Sequence, residues 1–477
     1  MAPLERSLVA DAVAYAGDWL EYSQRSLRIP GVVVAVRHED DTLLSRAYGF
    51  ADLERGEEMR TDHVFRIASH SKTFTATAIM LLAERGELSL DDRLFQWLDW
   101  LKDEPDAPGR LRIRHLLSHS AGVIRDGLDA GWWDLRLPFH DAASLQAAVL
   151  AETPVYSASE RFKYSNIGYS LLGAVIEAVS GRTYNDFVRT EIVDRLGLRS
   201  TGPELDDSVK GRLATGYSSR RYGQSRVPFP HLDTRAMSAA TGFYSTAEDL
   251  CRYGAAHFLN NEELLSDDTK REMQHEAWKV EAPQTRHYAL GFNVAEVGGR
   301  RLIGHGGGFP GFITNTCIDP VDRLVVSVLT NAIDGPADAL ATAVVELVNR
   351  ATKAPAGNLS ADPAAPASAD LERFTGRFFS LWGAIDIVKL GDQLVALTPD
   401  MISPTLDVTE LEVVDDRTLR ISKASGYSSP GERVAFEFDG AGRISQLQFA
   451  GSRFLPLDAY EARLETLSPE AKRIATD

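Results

Sequence analysis

The stretch Phe65-Arg66-Ile67-Ala68-Ser69-His70-Ser71-Lys72 opens a segment with Phe74, Ile79, Leu81 and Leu82 at helical spacing, closed by Gly86. That pattern predicts a core helix with a glycine at its C-terminal end. Residues three apart share a helix face, so the Lys72 amine can reach Ser69 Oγ, and a helix N-terminus favours negative charge developing there. A serine can be activated in this way without histidine. Alone, the spacing fits an ordinary surface serine and lysine equally well. Further along lies Phe162-Lys163-Tyr164-Ser165-Asn166. A phenol such as Tyr164 can take a proton from a nucleophile if cationic neighbours depress its pKa, and the Asn166 amide can orient both a lysine and a substrate carbonyl. A core tyrosine beside a capping asparagine reads the same. A third element, Gly304-His305-Gly306-Gly307-Gly308, sits on a predicted strand. Glycines at Gly307 and Gly308 let a substrate backbone come close, and the Gly308 N–H can pair with that of Ser69 as an oxyanion hole. A β-turn explains the glycines too.

Around these motifs the chain has 477 residues, 44% hydrophobic and 25% charged, with 37 Gly and 21 Pro. That composition is globular and excludes disordered, collagenous or low-complexity classes. The length leaves room for one large domain and a smaller one. A net charge of −17 argues against binding by phosphate neutralisation, so nucleic acid is not an expected partner. Acidity at this level fits a monomer or a homo-oligomer. Cys251 and Cys317 are the two cysteines, too few and too far apart for a disulfide framework or a zinc cluster. Glu5, Asp11, Asp18 and Glu21 interrupt the N-terminal apolar positions, and the most apolar later run, Ser170 to Val179, is broken by Gly173 and Glu177. These features read as a soluble, cytoplasmic protein with no membrane association.

Helical spacing from Leu8 to Leu20 precedes short β-branched segments at Val32 to Val36 and Leu43 to Tyr48. Helical stretches are then expected to dominate up to Gly197. Strands follow at Tyr288 to Val294, Arg301 to Gly304, Phe312 to Ile318 and Leu324 to Leu329, then a helix at Pro336 to Asn349. Between Ala351 and Ala369, eight alanines and three prolines form a linker composition. Beyond Asp370, short alternating strands between Gly, Asp and Pro turns suggest a small barrel or sandwich. The division read from this texture is residues 1–350, a linker at 351–369 and a second domain at 370–477.

Taken in order, S-x-x-K at Ser69, Y-x-N at Tyr164 and H-x-G at His305 resemble the motif triplet of the serine β-lactamase and penicillin-binding-protein superfamily. The resemblance is to the branch with AmpC-type β-lactamases, DD-carboxypeptidases, D-aminopeptidases and family VIII esterases. His115-Leu116-Leu117-Ser118-His119-Ser120-Ala121-Gly122 looks like that branch's H-L-L-S-H-T-S-G, and Ser245-Thr246-Ala247-Glu248-Asp249-Leu250 like its S-T-A-x-D-L. The resemblance implies an α+β, layered first domain with an antiparallel sheet flanked by helices and a helical subdomain, followed by a lipocalin-like barrel. Phe374-Thr375-Gly376-Arg377-Phe378 looks like the F-x-G-x-Y that opens such barrels.

The same resemblance implies a serine hydrolase acting through an acyl-enzyme on a small-molecule or peptide ester or amide, with no cofactor and no metal. Ser69 would be the nucleophile, Lys72 its proton partner, Tyr164 the general base and later acid, and Asn166 the orienting amide. His305 would take the position that holds lysine in β-lactamases, where it is weaker as a fixed cation for a substrate carboxylate. Two departures stand out: Ala158-Ser159-Glu160-Arg161 replaces the usual P-G before the Y-x-N, and a titratable His70 follows the nucleophile without an assigned role. His115 and His119, four apart, read as supporting structure rather than metal ligands. Trp132 and Trp133 in a turn-rich insert either line an acyl pocket or anchor their loop. No titratable group of the second domain stands out in the sequence.

Overall fold

The computed structural model describes residues 4–102, 108–151, 153–220, 225–280, 286–352, 370–425 and 428–474. Residues 353–369, most of the expected linker, lie outside this set. The chain packs into two compact units, one of residues 28–341 and one that joins 1–27 to 342–477. The first helix, α1 (Arg6–Ser26), thus groups with the C-terminal part of the chain.

The 28–341 unit is built on one antiparallel sheet of nine strands. In chain order these are β1 (Gly31–His38), β2 (Asp41–Asp52), β3 (Glu57–Glu58), β4 (Trp278–Val280), β5 (Arg286–Tyr288), β6 (Asn293–Val297), β7 (Arg300–Phe309), β8 (Phe312–Asp319) and β9 (Leu324–Thr330). Their order across the sheet is β3-β2-β1-β9-β8-β7-β6-β5-β4. The first strand therefore pairs with the last, with Val34 opposite Val328, and everything from residue 59 to 277 is inserted between two halves of one sheet. β1 (GVVVAVRH) and β9 (LVVSVLT) are almost wholly buried, which is why they read as continuous apolar runs rather than alternating ones.

The inserted block carries α2 (Ser71–Glu84), α3 (Asn166–Ser180) and α4 (Ala247–Ala255). α2 is buried at every residue from Ser71 to Leu82, the pattern of a helix enclosed by others. Phe74 stacks between Phe243 and Tyr253, with ring centroids 4.3 and 3.8 Å away. Thr246 caps α4 by accepting from the Asp249 N–H, so the S-T-A-x-D-L stretch is a helix start. Helix is less continuous than expected before Gly197: between α2 and α3 the described chain has one ten-residue helix, Ala142–Ala151, and otherwise short helical turns and irregular segments.

One predicted strand is corrected. Tyr288 to Val294 is not a single strand: β5 ends at Tyr288, β6 begins at Asn293, and a turn between them is closed by the Ala289 N–H on Phe292 O at 2.8 Å. Gly291 adopts φ 89° in that turn, and a Cβ there would come within 2.4 Å of Ala76 on α2. The run is apolar because the turn is pressed against α2.

The second unit contains an eight-stranded antiparallel sheet in consecutive order: β10 (Gly376–Ser380), β11 (Gly383–Leu390), β12 (Gln393–Leu397), β13 (Thr409–Val413), β14 (Thr418–Lys423), β15 (Arg433–Phe438), β16 (Ile444–Phe449) and β17 (Ser452–Phe454). Paired backbone hydrogen bonds between Phe379 and Leu455, 2.7 and 2.9 Å, join its first strand to the end of its last. The result is a nearly closed barrel, which removes the free edges of an open sheet. A titratable cluster does stand out here. Arg377 donates twice to Asp386, at 2.8 and 2.7 Å, and Tyr15 of α1 donates to the same carboxylate at 2.8 Å. Its partners lie about 370 positions apart in sequence, so no local pattern announces it.

Candidate active site

Ser69 lies in a single 3-10 turn, Ala68–His70, just before α2. A two-residue ladder pairing Phe65 with Ser245 and Arg66 with Tyr244 leads into the turn, and Ile67 N–H bonds Phe243 O at 3.0 Å. Ala68 is held at φ 45°, a left-handed conformation that costs about 1–2 kcal/mol for an L-residue. The strain lifts Ser69 out of a buried neighbourhood: Ala68 and His70 are buried, whereas Ser69 is partly exposed.

The residues expected around Ser69 converge on it. Tyr164 OH donates to Ser69 Oγ at 2.8 Å, and Lys72 Nζ lies 3.2 Å from the same oxygen. Lys72 is fully buried and donates to Asn166 Oδ1 and to Ala240 O, both at 2.7 Å. Asn166 in turn donates to the buried Asp126 carboxylate at 2.6 Å, and Arg125 Nε sits 3.1 Å from its other oxygen. Burial, reinforced by Arg125 and opposed by Asp126, holds the Lys72 amine well below the usual lysine range. Asn166 Oδ1 and Ala240 O take two positions of the amine, and its third faces Ser69 Oγ.

The cationic Arg125 acts to lower the Tyr164 phenol but does not prevail. Burial raises it despite the Ser69 hydrogen bond and Arg125, so at rest it is a neutral donor. Ser165 between the two motif residues caps α3 by accepting from Gly168 N–H at 2.8 Å, which throws Asn166 into the helix and leaves Tyr164 before it. Ser159, in the segment that replaces P-G, adopts φ 64°; a serine here takes a turn conformation that favours glycine.

His305, Gly307 and Gly308 lie on β7. Pairing of β7 with β6 stops at Gly304, opposite Asn293, while pairing with β8 continues to Phe309 opposite Phe312. One edge of 305–309 is therefore released from β6, and β7 packs against the Ser69 turn. The two glycines differ. A Cβ on Gly307 would stand 2.0 Å from Ile67 O, whereas one on Gly308 would meet nothing nearer than Ile313 Cδ1 at 3.5 Å. Gly307 thus lets the strand and the Ser69 turn touch, and Gly308 is exposed beside it. His305 is buried and makes no hydrogen bond to Tyr164; its Nδ1 lies 2.6 Å from Gly306 O and its Nε2 3.2 Å from Tyr288 OH.

His70 gains a role. Its Nδ1 bonds Ile67 O and its Nε2 bonds Thr316 Oγ1, both at 3.0 Å, so it pins the Ser69 turn to β8. Burial lowers its pKa to about 4. His115 caps its short helix by accepting from Arg112 N–H at 3.1 Å, and His119 accepts from Ser165 N–H at 3.1 Å while stacking 4.2 Å from the Tyr164 ring. The two histidines serve different segments. Trp132 is buried in the main core, and the half-buried Trp133 lies 6.2 Å from Phe309, the residue after Gly308. Asp126, Arg125, Ala240 and Tyr288 were not foreseen: Ala240 contributes only a carbonyl, and the others sit outside any short motif, although Arg125-Asp126 closely follows the H-L-L-S-H segment.

The beta-lactamase family profile matches residues 6–349. The chain belongs to the beta-lactamase family. Among relatives of this family member, penicillin-binding protein 4* of Bacillus subtilis (strain 168) is 30% identical over 293 residues, covering 57% of this chain and 62% of the relative. Esterase EstB of Burkholderia gladioli is 29% identical over 290 residues, covering 52% and 71%. The match to D-aminopeptidase of Brucella anthropi, 27% over 297 residues, covers 59% of the chain and 52% of that enzyme. This beta-lactamase family chain thus spans less than two thirds of the first and third of these relatives. Its fold is similar to that of the octameric penicillin-binding protein homologue from Pyrococcus abyssi, with a TM-score of 0.64 at 22% identity over 93% of this chain and 99% of that one. A D-stereospecific amidohydrolase from Streptomyces sp. aligns over 70% of this chain and 97% of its own, with a TM-score of 0.59 and 25% identity.

Proposed function

We propose that the protein is a serine hydrolase that works through a covalent acyl-enzyme on an ester or amide, including D-amino-acid amides. The observation that carries this reading is the convergence of Tyr164 OH and the buried Lys72 amine on one strained, accessible serine hydroxyl. In the acylation step Lys72 Nζ takes the Ser69 proton as Oγ bonds the substrate carbonyl carbon. The Tyr164 phenol gives its proton to the leaving group as the bond to it breaks. The N–H groups of Ser69 and Gly308 face the developing oxyanion. Water then takes the leaving group's place and the same transfers run in reverse, releasing the acid. Esterase EstB, D-aminopeptidase and the Streptomyces amidohydrolase support ester and D-amide substrates.

The test is chromophore release from a short-chain p-nitrophenyl ester and from D-alanine p-nitroanilide, with wild type beside Ser69→Ala. Turnover of either substrate that disappears in a folded Ser69→Ala is the expected result; turnover retained in that variant refutes the assignment. A second reading, acylation by penicillin-type or D-alanyl-D-alanine-type substrates, is supported by the likeness to penicillin-binding protein 4*. Labelling of Ser69 by a fluorescent penicillin separates the two. The octameric homologue supports assembly into a homo-oligomer, which light scattering on the purified protein checks.

A further inference from the structure

The third-motif histidine has no free nitrogen. Its Nδ1 lies 2.6 Å from Gly306 O, a group that can only accept, so Nδ1 carries the proton. Nε2 is then the lone-pair nitrogen, and Tyr288 OH at 3.2 Å is placed to donate to it. Tyr288 is itself buried at the end of β5, and its ring meets that of His305 edge-on, 85° between planes. The groups around the imidazole are His70 from the Ser69 turn, Lys72 from α2, His119, Tyr164 and Tyr288. None is a carboxylate, so nothing there would stabilise an imidazolium. Burial outweighs the Gly306 hydrogen bond and holds the ring neutral, with a pKa lowered to about 3.

We infer that Tyr288 is a positioning residue. By donating to His305 Nε2 it fixes a neutral imidazole with neither nitrogen available to a substrate anion, so the site selects acyl substrates whose group beside β7 is uncharged. This rests on the acyl-enzyme reading above and adds to it a substrate class: neutral esters and amides are taken, and substrates with a free carboxylate at that position are disfavoured. A lysine in place of His305 would put a cation where the structure shows none.

Two measurements test this. The first does not need activity: nitrogen-15 NMR of the histidine rings in the folded protein. The expected result is a His305 that stays in the Nδ1–H form from pH 8 down to pH 5, and whose Nε2 resonance shifts in Tyr288→Phe. An Nε2–H form, or ordinary titration near ~6.5, overturns the proposal. The second compares phenyl butyrate with 3-carboxyphenyl butyrate. Wild type should favour the neutral ester by roughly tenfold or more in kcat/KM, and His305→Lys should reduce that preference by roughly tenfold, a change of about 1.4 kcal/mol. Equal rates on both esters in wild type overturn it. If neither ester reacts while NMR gives the fixed tautomer, the hydrolase reading fails and the Tyr288–His305 lock stands. If Tyr288→Phe does not fold, the wild-type tautomer and His305→Lys still decide.

Discussion

Replacing Gly307 by alanine isolates the contact that holds strand and nucleophile together. The new methyl would stand 2.0 Å from Ile67 O and 2.8 Å from Ile67 C. Restoring an ordinary contact of about 3.4 Å needs a relative movement of about 1.4 Å between β7 and the turn. The Thr314 hydroxyl, 2.7 Å away, can swing aside, but the tighter contact is with main chain and cannot, and Ile67 is two residues from Ser69. Overpacking of this kind costs about 1–3 kcal/mol in stability, and a misplacement of about 1 Å at a reacting centre costs on the order of a hundredfold in rate. Gly307→Ala should therefore fold with a lowered denaturation midpoint and lose about a hundredfold or more in kcat/KM on the p-nitrophenyl ester. Gly308→Ala, with 3.5 Å of clearance, should change stability by only about 0.5 kcal/mol. Steady-state kinetics and denaturant melts on the pair decide. If Gly307→Ala keeps activity within about threefold of wild type at an unchanged midpoint, the strand does not press on the nucleophile's turn as described.

The two adjacent tryptophans should separate in the same assays: Trp132→Ala, at a buried core position, should lose about 3–5 kcal/mol of stability. Trp133→Ala, half-buried beside Phe309, should instead alter the ratio of rates on acetyl and longer acyl esters; loss of stability alone at Trp133 would count against a place in the acyl pocket. Stability should also fall with acid below pH ~6.5. Burial lowers His70 to about 4 and His257 and His305 to about 3, so between those values and ~6.5 the unfolded chain binds protons that the folded one does not. Each such histidine weakens the folding equilibrium by roughly tenfold per pH unit across that window, and the contribution is fully present above it. Denaturant melts at pH 7.5, 6 and 5 that coincide would refute this.

Much of the site was legible because its chemistry is carried by side chains at short, fixed separations. Lys72 follows Ser69 by three positions, and Asn166 follows Tyr164 by two; a helix start translates each spacing into a direction. The central strands were legible for a different reason: β1 and β9 are buried enough to be apolar without interruption. Where reading failed, burial of a turn imitated a strand, as at 288–294, where Gly291 rather than hydrophobicity decides the backbone. The left-handed Ser159 and the Arg377–Asp386–Tyr15 cluster had no local signature either, since one is a conformation and the other a meeting of distant segments.

The order of three short motifs by itself determined the family and singled out Ser69, Lys72, Tyr164 and Asn166, which the structure brings together, because residue type and spacings that a single helix turn can span carry that information. Only the tertiary structure decided the protonation of the site. Complete burial among Asn166, Ala240 O and Ser69 lowers the Lys72 amine, burial raises the Tyr164 phenol, and His305 is tied by Tyr288 and a carbonyl. A pKa is set by solvent exclusion, by polar groups arriving from α2, α3 and β5, and by the charges of Arg125 and Asp126, and that surrounding exists only in the folded unit.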